Sequence, residues 1–510
     1  GGNGTVSFRN SAANSLTLNG GADISGAHEV SSMSLSSAYV RVNDTTAITA
    51  ESISLTGVNQ FVCQSTSYDL AITLTSAAAH NLSNLRVYNC GNVTVTPAAA
   101  AKADPATSMN FASALFQNNA TVTLPIPVGG SSFASAQFLY NRGKIEIEAE
   151  EGSPAALNLA SATFGGSSSG NKDIEVTVPS GNLVLAPSTW TNNQDVVVTA
   201  RSAGKRVVTG LSMTGHRNIT LELGQTLALS GTTLSLTPGL TNWVKLPGTM
   251  NLMLTGNTTI AGSFDFADRT SLWIDSGSKI DVTGKGGAGG GSYGWGGGEK
   301  SVTGCSPING SALYPADAPD GDCRTGGYYG YRDAGRAAGG GAGSGGRGGN
   351  GYQPQLTYPW YGQGGRAYST LDNPAQQPVK RGGGGGGNYG SVPATYRGGG
   401  GGGAVKITVS GLITLHGDIL ANGEAGVSSD NYVSSGGGGG GSIWIESATL
   451  NGAGKFEAKG GNSGPVSSYW GGGGGGGGRI AVNYTYGDYS GMASAVATAG
   501  SSMTANPSWI

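Results

Sequence analysis

Phe111-Ala-Ser-Ala-Leu-Phe116, Phe133-Ala-Ser-Ala-Gln-Phe138 and Leu159-Ala-Ser-Ala-Thr-Phe164 are copies of one phrase: an apolar residue, four mostly small ones, then a second apolar residue. It continues as Leu185-Ala-Pro-Ser-Thr-Trp190, Val208-Thr-Gly-Leu-Ser-Met213 and Leu229-Ser-Gly-Thr-Thr-Leu234. The second anchors, Phe116, Phe138, Phe164, Trp190, Met213 and Leu234, are spaced 22, 26, 26, 23 and 21 apart. Weaker copies run from Leu35 to Val40, Ile48 to Ile53 and Leu82 to Val87. Between them lie alternating stretches such as Ile145-Glu-Ile-Glu, which aim every second side chain inward as a strand does. A β-sandwich needs no regular period, and helical periodicity is absent. The spacing predicts an all-β fold, a β-solenoid of about 21–26 residues per coil, each coil burying its apolar face only by stacking on the next. Small residues between the anchors let the chain turn its corners. Cys63 and Cys90, 27 apart, are close to one coil apart and predict a bridge between stacked coils.

Composition changes near residue 285. Of 94 glycines, 27 lie in 1–285 and 67 in 286–510; 16 of 20 tyrosines follow them. The expected organisation is a solenoid over 1–285, a long Gly/Tyr-rich excursion with polyglycine segments over 286–397, further coils over 398–486 and a C-terminal tail over 487–510 that offers a subunit contact. Uninterrupted glycine runs from Gly398 to Gly403, from Gly436 to Gly441 and from Gly471 to Gly478 each enter an alternating strand, Val405-Lys-Ile407, Ile443-Trp-Ile445 and Ile480-Ala-Val482. A further run, from Gly382 to Gly387, lies in the excursion. Glycine-rich composition usually means a flexible linker. A linker needs neither fixed run length, fixed flanks nor a fixed place in a repeat. Stacked coils place equivalent positions side by side, so the runs are expected to lie side by side as stacked polyglycine-II helices, three residues per turn with every peptide group directed outward.

On these motifs, the glycine runs between aromatic loops resemble the polyglycine-II sandwich of phage long-tail-fibre adhesins. The run followed by Arg479-Ile-Ala-Val-Asn-Tyr484 resembles glycine-rich β-solenoid surface proteins of bacteria. The resemblance covers 400–485 well and 286–397 loosely. It implies an extracellular surface, appendage or adhesive role and carries over no catalytic residue.

Charged residues make up only 11% of the chain and the net charge is −2. Twenty-eight Lys and Arg spread this thinly build no phosphate-neutralising surface, so no nucleic-acid partner is expected. No apolar run approaches 18 residues, so no membrane span is expected. No leader is visible at Gly1, as in a processed chain. Even cysteine count and polar composition point to an oxidising, extracellular or cell-surface location, with disulfides Cys63–Cys90 and Cys305–Cys323.

A search for catalytic chemistry predicts no enzyme and no cofactor. His28, His80, His216 and His416 form no metal-binding or triad pattern and are expected at the surface or in turns. Glu146, Glu148 and Glu150 alternate along one strand and read as a solvated face. Asp317, Asp320 and Asp322 are a weak calcium candidate, weighed against a turn closed by Cys305–Cys323. Tyr328, Tyr329, Tyr331, Tyr358, Trp360 and Tyr361 crowd the excursion. They suit a protein or glycan interface or a cover for the glycine bundle.

No capping helix precedes Thr5-Val-Ser-Phe8, and the chain finishes apolar at Trp509 and Ile510. Uncapped ends predict head-to-tail contact that does not close and so grows a homopolymer. The expected function is therefore a secreted structural protein, the subunit of an extracellular filament or surface layer. The alternative is an adhesin that binds surface glycans or a receptor through the Tyr/Trp loops.

Overall fold

The computed structural model describes residues 4–5, 15–149, 154–166, 173–178, 182–200, 204–238, 242–290, 345–349, 351, 367, 375–387, 397–427, 434–465 and 471–502. Among them regular structure is almost entirely β-strand, apart from a helical turn at Ala99–Lys102 and a 3-10 turn at Gly491–Ser494. No helix among the described residues is long and apolar enough to cross a membrane. The chain forms two compact units: residues 1–233 with 246–249, and residues 234–245 with 250–510.

In the first unit the strands stack in parallel, one coil on the next. The second anchors form a continuous column, Val40, Phe61, Val87, Phe116, Phe138, Phe164, Trp190 and Met213, each paired with its neighbour and none more than 1% exposed. Ring centroids are 5.2 Å apart for Phe116–Phe138, 4.7 Å for Phe138–Phe164 and 4.0 Å for Phe164–Trp190. A second column runs Leu70, Val93, Val122, Ile145, Ile174, Val196 and Ile219. A third is built from the short strands Ala79–Asn81, Ser108–Asn110, Ser131–Ser132, Leu157–Asn158 and Leu183–Val184. The solenoid-like stacking expected from the period is thus present.

Corners turn by left-handed backbone rather than by small size alone. Ser113, Ser135 and Ser161 each have φ of 59°, three residues before an anchor; Asn118, Tyr140 and Asn192 take φ of 57°, 55° and 53° two residues after one. The Ile48–Ile53 copy is a misreading. Ile48 pairs with Ile72 in the second column, and the anchor of that coil is Phe61. Its corner glycine, Gly57 with φ of 71°, stands four residues before the anchor instead of three, so the phrase is one residue longer.

In the second unit the coils continue across the long excursion. Ile280 pairs with Ile419, which pairs with Phe456. Phe264 pairs with Val405, followed by Ile443 and Ile480. Leu272 pairs with Ile413, followed by Leu450. The strand after the Gly398–Gly403 run, Ala404–Leu415, therefore stacks on Phe264–Arg269 and Ser271–Ile274, and Asp418–Leu420 then stacks on Lys279–Asp281, so residues 286–397 enter between two successive coils.

Candidate functional site

The feature without parallel in an ordinary β-protein is the set of glycine segments in the second unit. All six residues of 436–441 are buried. Their N–H groups donate in a strict order. Gly436 and Gly439 donate to Gly386 and Gly383, Gly437 and Gly440 to Gly473 and Gly476, and Gly438 and Gly441 to Glu424 and Ala421, at 2.6–2.9 Å. Residues three apart thus serve the same neighbouring segment, and successive residues serve three different ones. Carbonyls of the run accept in turn: Gly436 and Gly439 from Gly399 and Gly402, and Gly438 from Gly461. The same step recurs elsewhere, as Gly287 and Gly290 donate to Gly382 and Gly385, and Gly398 and Gly401 to Gly290 and Gly287.

Glycine is required by proximity. A Cβ on Gly437, Gly438, Gly440 or Gly441 would stand 2.0, 2.0, 2.3 or 1.8 Å from a backbone oxygen of Gly461, Gly400, Ala458 or Gly403 respectively. At the rim the demand falls. In segments 421–426 and 458–464 a neighbour crowds only some positions, among them Gly423 and Gly426, and Gly461 and Gly464, each pair three apart. These mixed segments join the bundle although they are not glycine runs. The signal that marks them is small residues at a spacing of three.

The entry to the Gly382–Gly387 run is fixed by a buried cation. Arg381 is 2% exposed; its Nε donates to Ser263 Oγ at 2.8 Å, an Nη donates to the carbonyl of Asn242 at 3.4 Å, and the guanidinium carbon lies 4.4 Å above the Trp243 ring. Lys380 and Ser442 add a bond from Ser442 Oγ to the Lys380 carbonyl at 2.5 Å.

Three of the four histidines are buried within strands, which corrects the expectation of surface or turn positions: His28, His80 and His216 are 5%, 3% and 0% exposed, and His416 alone is exposed. The reason for His216 is a polar ladder inside the corner. At four anchors the residue three past the anchor donates a side-chain N–H to the carbonyl of the preceding anchor: Asn119 to Val87, Asn141 to Phe116, Asn193 to Phe164 and His216 to Trp190, at 3.0–3.3 Å. Histidine serves as a larger asparagine there. Burial lowers its pKa from 6.5 to about 4, against the raising effect of its backbone hydrogen bonds.

Cys63 and Cys90 form a disulfide of 2.08 Å between adjacent coils. Glu146 and Glu148 face outward, and Lys144 bridges Glu146 and Glu175. Cys305, Cys323, Asp317, Asp320, Asp322, Tyr328, Tyr329, Tyr331, Tyr358, Trp360, Tyr361, Trp509 and Ile510 lie outside the described residues. Among the described residues no group of three or more His, Cys, Asp or Glu side chains could hold a metal ion. No protein-family model, no curated protein and no solved structure matches the chain.

Proposed function

We propose that the chain is a secreted structural protein, a subunit of an extracellular filament or surface layer, in which the glycine segments form a rigid bundle of polyglycine-II helices. The observation that carries this reading is the step of three. A helix with three residues per turn and no internal hydrogen bonds directs its peptide groups in three directions, as the donors of 436–441 are directed to three neighbours. Ordering glycine is costly in conformational entropy, so such a bundle persists only where nearly every buried peptide group is paired, and its product is stiffness rather than a pocket. The interstrand disulfide supports an oxidising setting. Association between copies is supported by the outward tyrosines Tyr484 and Tyr486, 39% and 70% exposed on the strand Arg479–Tyr486.

Electron microscopy of the purified chain over a concentration series tests assembly: filaments or sheets are expected, and dispersed monomers at every concentration would overturn it. Hydrogen exchange tests the bundle separately. Slow exchange over 398–403, 436–441 and 471–478 is expected, and exchange there as fast as in an unfolded peptide would sink it.

A further inference from the structure

The third column of the first unit has an outward face of small polar residues. Its strands point Asn81, Asn110, Ser132, Asn158 and Val184 outward in register. At Asn110 and Asn158 the side-chain oxygen is occupied, accepting from the N–H of Ala112 and Ala160 at 3.0 Å. Each oxygen is thereby fixed as the acceptor, and the Asn110 NH2 also donates to Asn81 Oδ1 at 3.2 Å, linking neighbours along the row and leaving one N–H of that amide. Coil stacking repeats these groups about every 4.8 Å. Above them lies a groove of about 340 Å³, and a second of about 460 Å³ continues it, sharing Asn182 and Val184.

The second groove exists because the ladder breaks. Leu183–Val184 is the last strand of this sheet, while Lys205–Thr209 in the next coil pairs onward with Thr226–Ser230. Arg206 bridges the break, donating from Nε to the Leu223 carbonyl and from an Nη to the Leu183 carbonyl, both at 3.1 Å. Burial holds its guanidinium below the ordinary arginine range. Lys205 beside it is exposed, and Val207, 60% exposed, gives an apolar ledge.

We propose that this continuous groove binds an acidic oligosaccharide, its hydroxyls along the Asn/Ser row and a carboxylate at Lys205 and Arg206. Charge complementarity selects an anion at that end. A peptide is disfavoured along the row because Ser131–Ser132 and Leu157–Asn158 are already paired on both sides, and at the terminal strand Leu183–Val184 the Leu183 carbonyl is already held by Arg206. The inference is independent of the glycine bundle and of assembly.

Titration calorimetry of the full chain with a galacturonic acid hexamer tests it, with cellohexaose and a hexaglutamate peptide beside it. Saturable binding of the galacturonate is expected, weakened about tenfold by Arg206→Gln, in line with a lost charge-assisted hydrogen bond, and by Lys205→Gln to a smaller degree. Ser132→Tyr fills the row without touching Arg206 and is expected to abolish binding with the melting temperature unchanged. Absence of binding, equal binding of cellohexaose, binding of hexaglutamate alone, or undiminished binding by Ser132→Tyr would each overturn the proposal.

Discussion

Gly400 passes so close to Gly438 that a Cβ on Gly438 would stand 2.0 Å from the Gly400 carbonyl oxygen. The contact is to backbone, so no rotamer relieves the clash, and the segments must part. Gly438→Ala is expected to destabilise the second unit by about 3 kcal/mol, at the upper end of overpacking. Gly346 is the control: its nearest neighbour to a Cβ is the Gly477 nitrogen at 3.7 Å, an ordinary contact. Gly346→Ala is expected to change stability by under about 0.5 kcal/mol or to stabilise slightly. Denaturant titration of both variants decides; equal effects would show that glycine is not there for close approach.

The His216 ring predicts an acid dependence. Its pKa is 6.5 ordinarily and about 4 when folded, so the fold prefers the neutral ring. Its contribution is complete above pH 6.5 and is lost as pH falls from 6.5 toward 4, flattening below that. The loss is about 3 kcal/mol at most. His216→Asn keeps a donor for the Trp190 carbonyl, as Asn193 does for Phe164, and removes the titrating group. Melting temperature followed from pH 7 to pH 4 should fall less steeply in the variant, and parallel curves would refute the assignment.

The anchor column was legible because each anchor repeats both a size and a position: Phe116, Phe138, Phe164 and Trp190 stack as their spacing implies. Phe61 escaped because its corner uses Gly57 in a longer phrase. The polar ladder was legible in principle, since Asn119, Asn141 and Asn193 each stand three past an anchor. Residue type hides the fourth member, because His216 shares neither size nor ring chemistry with the asparagines whose slot it fills. The adjacency of the glycine runs followed from their flanks. The rim segments 421–426 and 458–464 did not, because a segment crowded on one side needs glycine at only some positions, and that pattern is faint beside a pure run. The division into units near 233–250 has no compositional mark at all.

Arg381 should couple the first glycine run of the bundle to the coil beneath. Its side chain gives a hydrogen bond to Ser263, one to the Asn242 carbonyl and a cation–π contact with Trp243; desolvated contacts of this kind are worth about 2 kcal/mol. Arg381→Ala is expected to speed amide exchange over 382–387 by at least about tenfold while exchange in the Phe116–Trp190 column is unchanged. Unaltered protection over 382–387 would mean that the bundle holds the run without its pin.

Cys90 occupies the ladder slot that Asn119 fills one coil later, three residues past the anchor Val87, and its disulfide to Cys63 replaces the ladder bond. The bridge closes a loop with a sequence separation of 27, for which the chain-entropy account gives about 3.5 kcal/mol. Cys63→Val with Cys90→Ala should lose stability of that order. Cys63→Val with Cys90→Asn should recover about 1 kcal/mol, because the amide can donate to the Phe61 carbonyl as Asn119 donates to that of Val87. The two double variants differ at position 90 alone, by the carboxamide that supplies that donor. Indistinguishable denaturant midpoints would mean that this corner is held by covalent closure and not by the ladder.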